Sequence, residues 1–176
     1  MRILVTGAAG SGQTTLAREL ARQLGAMVLD SDDFFHVATD PPYLQQRSRT
    51  ERYELLMAAM KDDADLVLAG SVVDWGEKLE SAFDFIVFLY VPTEIRMQRL
   101  RDREIARFGK IDPEFELWAA HYDQPTTEGR NLRLHEDWLR TRSCPYLKII
   151  GADAVSLNVQ RVIQELRRRF GVRSTS

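Results

Sequence analysis

A glycine-rich segment near the start of the chain carries the most specific chemical signal. It lies between an apolar strand candidate and the first helix candidate and consists of Gly7, Ala8, Ala9, Gly10, Ser11, Gly12, Gln13, Thr14 and Thr15. Glycines let a backbone turn tightly around phosphate oxygens, and the N-terminus of the following helix offers free N–H groups and a positive potential. The spacing predicts a phosphate-binding loop in which the Thr14 hydroxyl reaches magnesium. A turn that only links a strand to a helix is the simpler alternative.

One residue of this loop departs from the Walker A pattern, because Gln13 stands where the pattern has lysine. Lysine places a full positive charge on the β and γ phosphates of a nucleotide, whereas the glutamine amide is neutral. Nucleotide binding can therefore persist while phosphoryl transfer suffers. Three explanations stay open: an engineered substitution, a natural protein in which another cation acts, and a natural protein that binds nucleotide without turnover.

Acidic residues follow the second strand candidate, in the segment Asp30-Ser31-Asp32-Asp33-Phe34-Phe35. In an open α/β sheet, ligands bind beyond the carboxyl ends of the strands, so these carboxylates are expected to face the phosphate loop. A solvated acidic turn, or a helix N-cap formed by Asp30 or Asp32, is the alternative interpretation.

With these two segments, GSGxTTLA and DSDDFF, the chain resembles the P-loop small-molecule kinases, most of all the nucleoside and nicotinamide riboside kinase branch, with adenylate kinase-like features. The resemblance implies ATP and Mg²⁺ as cofactors and a five-stranded parallel sheet flanked by helices, with a helical lid. It also implies that Asp32 faces the acceptor hydroxyl as a general base or orienting group. A carboxylate suits that role because it can accept the proton of the attacking oxygen and help to hold magnesium.

A stripe of arginines marks the helix predicted from Thr93 to Phe108. At about 100° per residue its members fall within roughly one quadrant of the helix; they are Arg96, Arg99, Arg103 and Arg107. The stripe resembles the kinase lid, in which arginines neutralise the transferring phosphoryl group, and Arg103 and Arg107 are the preferred catalytic candidates. Such an arginine could partly replace the charge missing at Gln13. A solvated helix face with acidic partners is the alternative.

Weaker signals lie in three other segments. Asp74, which follows the third strand candidate, is expected either to bind magnesium through water or to lie in a turn. One arginine among Arg47, Arg49 and Arg52 is a candidate clamp for an anionic group of the acceptor. An aromatic acceptor or nucleobase pocket, or part of the core, is predicted from Trp118, Tyr122, Asp123, Arg130, His135 and Trp138.

The elements that position these residues follow an alternating pattern of strands and helices, which is typical of an α/β fold. The strand candidates are Arg2 to Thr6, Met27 to Asp30, Leu66 to Ala69, Phe85 to Val91 and Tyr146 to Ile150. The continuous apolar run of the fourth predicts a central strand. We expect one domain over residues 1–176, with helices over about 93–142 that cover the site.

Composition narrows the possible partners. The formal net charge of −2 does not favour nucleic acid, and no apolar run approaches the roughly 20 residues that cross a bilayer. A single cysteine excludes an internal disulfide, so a reducing, cytoplasmic location is expected. The predicted function is ATP-dependent phosphoryl transfer to a small hydroxyl-bearing, nucleoside-like acceptor. The alternatives are a nucleotide-binding regulatory module without turnover and a nucleoside monophosphate kinase-like enzyme; the acceptor and the oligomeric state stay open.

Overall fold

Five parallel strands form the centre of the computed structural model, which describes residues 1–39, 45–60, 64–124 and 129–171. The strands are β1 (Arg2–Gly7), β2 (Met27–Asp30), β3 (Leu66–Ala69), β4 (Phe85–Tyr90) and β5 (Tyr146–Ile150). Their order is β2-β3-β1-β4-β5, and every neighbouring pair is parallel. The predicted α/β fold is therefore confirmed. The central strand is β1, and β4 is an interior strand paired on both sides, as its apolar run requires.

Helices connect the strands and cover both faces of the sheet. They are α1 (Gln13–Leu24), α2 (Ser31–Phe35), α3 (Arg49–Ala59), α4 (Glu77–Glu80), α5 (Thr93–Phe108), α6 (Pro113–Ala120), α7 (Leu132–Arg140) and α8 (Val155–Phe170), with a 3₁₀ turn at His121–Asp123. Residues of α1 and α8 pack on one face, and residues of α3, α4 and α7 pack on the other. Within the described ranges, no helix is long and apolar enough to cross a membrane.

Local sequence signals set several helix ends. The spacing of Ser48 and Glu51 predicts a capping box, and it is present: Ser48 caps α3 through the backbone N–H of Glu51, whose side chain accepts from the Ser48 backbone. Glycine is typical of helix ends, and Gly25 ends α1 in the left-handed region at φ 65°. These signals depend on neighbours in sequence, which explains why they can be recognised without the tertiary structure.

Strand register brings the loops that follow β1, β2 and β3 to one edge of the sheet. Ala69 lies opposite both Val5 of β1 and Asp30 of β2. The next residue, Gly70, approaches Ser31 so closely that a Cβ atom there would lie 1.9 Å from the serine hydroxyl oxygen. The phosphate-loop candidate, the acidic segment and the turn after β3 therefore share this edge.

The segment predicted to cover the site contains α6, the 3₁₀ turn and α7, while residues 125–128 lie outside the described part. A small apolar cluster joins α5 to α6 through Met97, Leu100 and Ala119. Ala9 of the glycine-rich loop packs against this cluster, as does Trp118. The helices α5 and α6 are thereby held beside the phosphate-loop candidate.

Candidate functional site

The glycine-rich loop has the backbone geometry of a phosphate-binding cradle. Gly10 and Gly12 adopt φ values of 79° and 91°, in the region that favours glycine. A Cβ at Gly10 would lie 2.5 Å from the Arg96 carbonyl oxygen, whereas the space around Gly12 is open to 4 Å. No side chain caps the start of α1 at Gly12. The first turn of α1 can therefore present its N–H groups to an anion.

Two buried polar atoms of the same loop lack protein partners. Within the described residues, the Ser11 hydroxyl and the Gln13 side-chain oxygen are buried without a hydrogen bond. Buried polar groups are usually satisfied, so unpaired atoms in a glycine-rich loop fit a site that receives a polar ligand. The loop residues present thus fit the phosphates of a nucleotide, although glutamine contributes no positive charge to them.

The side chain that meets Thr14 is Asp30. The Thr14 hydroxyl donates to Asp30 Oδ2 at 2.9 Å, and the other oxygen of Asp30 accepts from the backbone N–H of Asp32 at 3.1 Å. The sequence predicts Thr14, Asp32 and Asp74 as magnesium ligands, with Asp30 as a helix cap in the alternative interpretation. The structure shows that Asp30 both caps α2 and touches Thr14.

This threonine–carboxylate pair has the oxygen chemistry that magnesium prefers. Within the described ranges, no cluster of three or more His, Cys, Asp or Glu side chains could enclose a metal. Magnesium commonly binds to one or two protein oxygens, with waters and nucleotide phosphates completing its octahedron. Thr14 and Asp30 fit that partial ligand set, and a single sequence pattern could not reveal their contact across sixteen positions.

Asp32 is the second residue of α2, and charges of both signs act on it; the region around Asp32, Arg103 and Arg130 is named the cleft. The Asp32 side chain keeps exposed surface, but protein atoms crowd it, and this partial desolvation is the main reason that its pKa is raised. The neighbouring Asp30 carboxylate raises the pKa of Asp32 further, while the positive charges of Arg130 and Arg103 oppose the shift. A carboxylate with a raised pKa between cations is suited to proton transfer from a hydroxyl group.

Arg130 belongs to this cleft, whereas the sequence predicts it only as one member of an aromatic acceptor or nucleobase pocket, or of the core. Its guanidinium lies over the Trp118 ring, 5.3 Å from the centroid. Burial lowers the pKa of Arg130, and the charge of Asp32 counteracts that effect. The predicted aromatic group therefore divides: Trp118 supports a site arginine, while the Trp138 indole is buried and donates to Glu80 at 2.6 Å.

The arginine stripe of α5 also divides into distinct environments. Arg103 pairs with Glu104 at 2.8 Å and acts electrostatically on Asp32, which places it at the cleft. Arg107 is exposed near the end of α5, with its guanidinium 5.1 Å from the Phe108 ring centroid. Arg99 reaches the loop after β5, donating to the Ala152 carbonyl at 3.5 Å.

Arg96 was expected to be part of the lid stripe, but it is completely buried. Its guanidinium donates to the backbone carbonyls of Val91, Ala119 and Ala9 at 3.0, 3.2 and 3.4 Å. The carbonyl bonds satisfy a buried cation that could not close over a ligand without breaking them. The lid interpretation is therefore wrong for Arg96, which joins the phosphate loop to β4 and α6.

The three arginines after the acidic segment also have different roles. Arg47 donates to the carbonyls of Asp33, Phe34 and His36 and thereby holds the end of α2. Arg49 is exposed at the start of α3. Arg52 is the remaining candidate for an anion clamp.

The Arg52 guanidinium lies against two neighbouring aromatic rings, 4.8 Å from the Phe35 centroid and 4.9 Å from the Trp75 centroid. Its Nε atom is buried without a hydrogen-bond partner in the described part of the chain. Asp74 is exposed in the turn after β3, with φ 62°, and its charge acts on Arg52. The structure thus places Asp74 beside Arg52, whereas Asp30 is the carboxylate that touches Thr14.

A cavity of about 510 Å³ opens between α1 and the start of α8 and was not foreseen from the sequence. Its lining residues are Thr15, Arg18, Glu19, Arg22, Val155 and Ser156. Since Thr15 directly follows Thr14, the cavity begins beside the phosphate-loop candidate.

His135 lies behind the cleft, where burial lowers its pKa to about 3. Its unfolded-state value is near 6.5, so the unfolded chain binds the extra proton as pH falls below that value. We expect the free energy of unfolding to fall by about 1.4 kcal/mol per pH unit below pH 6.5 because of this one group. Denaturant unfolding of the native and His135→Asn proteins between pH 7 and about pH 5 measures the slope.

A His121→Asn variant is the matched control for this prediction. His36 also has a pKa lowered by partial burial, so its contribution has the same sign and persists in both variants. The unfolding free energy should change with pH by the same amount in the native and His121→Asn proteins. In His135→Asn this change should be smaller by about 1.4 kcal/mol per pH unit. An unchanged slope in His135→Asn would contradict the buried neutral state.

The fold and the site together define a P-loop kinase-type domain. The chain belongs to the AAA_18 family of AAA domains, which matches residues 3–115. It is 35% identical to the protein "Uncharacterized protein YqaC" of Bacillus subtilis (strain 168), over 93% of this chain and 96% of that protein. It is also 28% identical to a cytidylate kinase of Thermoplasma acidophilum, over 59% of this chain and 61% of that enzyme.

Among solved structures, the chain is similar to shikimate kinase from Acinetobacter baumannii in complex with shikimate. The TM-score is 0.63 at 24% sequence identity, covering 96% of this chain and 94% of that one. This likeness shows a shared fold. The family match and the identity to a cytidylate kinase relate the chain to P-loop kinases.

Proposed function

We propose that this protein transfers the γ-phosphoryl group of ATP to a hydroxyl group of a small acceptor that also carries an anionic group. One observation carries the proposal: Thr14 meets Asp30 at the phosphate-loop candidate, and Asp32 follows directly in a cleft with Arg103 and Arg130. Metal-binding oxygens, a proton acceptor and cations are the groups that phosphoryl transfer requires.

The nucleotide binds through the loop and the cavity beside it. Gly10, Ser11 and Gly12 surround the β phosphate, and Thr14 with Asp30 holds magnesium, which supplies charge neutralisation of the phosphates when bound. The nucleoside extends into the cavity that begins at Thr15. This arrangement directs the γ phosphate toward Asp32.

The acceptor binds between Asp32 and the cations of the cleft. Asp32 orients the attacking hydroxyl and accepts its proton. Arg103 and Arg130 stabilise negative charge near the reacting phosphoryl group and thereby offset part of the charge missing at Gln13. Arg52, which lies against Phe35 and Trp75, pairs with the anionic group of the acceptor. We assign these roles to one domain, in which the segment of about 93–142 covers the site.

The test is ADP release from ATP with pairs of acceptors that differ by one anionic group. CMP is paired with cytidine, and shikimate with its methyl ester, because relatives of the chain include a cytidylate kinase and a fold neighbour that binds shikimate. The phosphorylated product is identified in each case, and transfer to the phosphate of CMP would contradict a hydroxyl acceptor. We expect turnover with an anionic member of a pair and weak or no turnover with its neutral partner. Turnover with neutral members alone would contradict the anionic acceptor.

Arg52→Met tests the clamp with a side chain of similar length, and Arg49→Met is the matched control on the exposed start of α3. Loss of a hydrogen-bonded charge pair costs about 1.5–3 kcal/mol, so KM for the anionic acceptor should rise about ten- to hundredfold in Arg52→Met. Arg49→Met should retain the native KM. Equal effects of both changes would indicate only a general loss of positive potential.

A regulatory module that binds nucleotide without turnover is a second candidate. The observation in its favour is Gln13, whose neutral side chain occupies the position of the Walker lysine. Such a module would bind MgADP tightly and release no ADP from ATP with any acceptor.

A further inference from the structure

A buried chain of three polar side chains runs from the covering segment to the turn after β3. The Tyr122 hydroxyl lies 2.6 Å from His135 Nδ1, and His135 Nε2 lies 3.2 Å from the Ser71 hydroxyl oxygen. His135 is completely buried, while Ser71 keeps 8% of its surface exposed. The backbone N–H of Ser71 donates to Ser31 at 3.1 Å, which ties this turn to the acidic segment.

The protonation states of Tyr122, His135 and Ser71 can be deduced from the hydrogen bonds between them. Burial keeps His135 neutral, so its ring carries one N–H. Burial also raises the pKa of the Tyr122 phenol, which therefore keeps its proton. In the described residues that hydroxyl has no hydrogen-bond partner besides His135 Nδ1. Either position of the ring proton leaves one buried hydroxyl proton without a protein acceptor: the phenol proton if the N–H is on Nδ1, and the Ser71 proton if it is on Nε2. Tyr122 is 3% exposed and Ser71 8%, so the unpaired proton costs less at Ser71.

The phenol therefore donates to Nδ1, and the ring N–H lies on Nε2 and donates to the Ser71 oxygen. The proton of the Ser71 hydroxyl is then not used by His135, and no other protein acceptor for it occurs in the described part of the chain. Ser71 follows Gly70, which packs on Ser31 beside Asp32. The charge of Arg130 acts on Asp32, Tyr122 and His135. The three hydrogen-bonded side chains therefore lie on the Arg130 side of the cleft.

We propose that Ser71 donates a hydrogen bond to an oxygen atom of the acceptor, and that Tyr122 and His135 are positioning residues that keep its hydroxyl proton directed into the cleft. The identity of the ligand as the phosphoryl acceptor rests on the proposed function. The direction of the hydrogen-bond chain does not, because it follows from the protein alone.

The direction is tested by long-range ¹H–¹⁵N spectra of the histidine rings, which distinguish the two neutral tautomers. The chain has three histidines, and His135→Asn assigns the relevant signals. We expect His135 to be neutral with its proton on Nε2. A proton on Nδ1 would overturn the proposal, because Ser71 would then donate to His135 and have no proton for a ligand.

Tyr122→Phe tests whether the phenol sets this direction, with Tyr90→Phe as the matched control. Without the phenol, Ser71 can either accept from Nε2 or donate to it, so both tautomers should be populated in Tyr122→Phe. The control should keep the native spectrum. A single Nε2–H tautomer in Tyr122→Phe would overturn the role of Tyr122 as a positioning residue.

The donor role of Ser71 is tested with inorganic phosphate as the probe, titrated into protein saturated with MgADP so that the phosphate loop is filled. One hydrogen bond contributes about 0.5–1.5 kcal/mol, so Ser71→Ala should bind phosphate about two- to twelvefold more weakly. The exposed Ser143→Ala change should have no effect. Equal affinity in the native and Ser71→Ala proteins, or no phosphate binding by the native protein, would overturn the donor role. Failure of every acceptor to turn over would instead contradict only the proposed function.

Discussion

Asp32→Asn should reduce phosphorylation of the acceptor by roughly two to four orders of magnitude, the usual range for loss of a general base. The amide keeps the shape of the carboxylate but cannot accept the hydroxyl proton. Affinity for MgADP should be unchanged, because Asp30 is the carboxylate that touches Thr14. Steady-state turnover and calorimetric titration of MgADP measure the two effects separately.

The pH dependence of turnover offers a second measurement of the same group. The pKa of Asp32 is raised, so its proton-accepting form is lost at a higher pH than for an ordinary carboxyl group. We expect turnover to fall as pH decreases through this raised pKa, and Asp32→Asn should lack that acidic limb. Asp33→Asn introduces the same amide at the exposed next position of α2 and is the matched control. If Asp32→Asn kept nearly full turnover, Asp32 would have only a solvation role.

Gln13→Lys should raise ATP turnover by on the order of a hundredfold, comparable to the effect of one preorganised donor on a developing charge. The new ammonium group would stand at the first position of α1, beside the loop that surrounds the phosphates. Binding of MgADP should improve less than turnover, because the ammonium also stabilises the negative charge that develops on the β–γ bridging oxygen as its bond to the γ phosphorus breaks. Release of ADP with and without the acceptor panel measures the gain.

Gln160→Lys adds the same charge to the exposed surface of α8 and controls for a change in net charge. It should leave turnover at the native level. If Gln13→Lys tightens MgADP binding but produces no transfer to any acceptor, the protein behaves as the nucleotide-binding regulatory module. An increase in turnover would show that the remaining cations and Asp32 already form a competent site.

The acidic segment that contains Asp30 and Asp32 could be predicted from the sequence, but the carboxylate that contacts Thr14 could not. The acidic segment was recognised because it follows a strand whose carboxyl end must lie near the glycine-rich loop. Which carboxylate points to Thr14 depends on side-chain directions at the start of α2, where Asp30 also caps the helix. Successive residues at such a junction face different directions, so spacing alone did not assign the contact.

The arginines of α5 show a second limit, since periodicity places Arg96 and Arg103 on similar sides of one helix. Their surroundings differ because Arg96 meets carbonyl groups from three other segments, while Arg103 reaches the cleft. Helical periodicity predicts a face but not what packs against that face. Burial of a cation becomes acceptable only where distant chain segments supply its acceptors.

The sequence by itself determined the features that depend on neighbouring residues: the parallel α/β fold, the phosphate-loop candidate, the capping box at Ser48 and the departure at Gln13. Glycine spacing, strand periodicity and capping patterns act over a few positions, so they can be recognised in one chain. Only the tertiary structure decided which distant side chains meet, namely Thr14 with Asp30 and His135 with Ser71, and that the charge of Arg130 acts on Asp32. Their contacts depend on strand order and helix packing, because burial and charge at each position are set by segments far away in sequence.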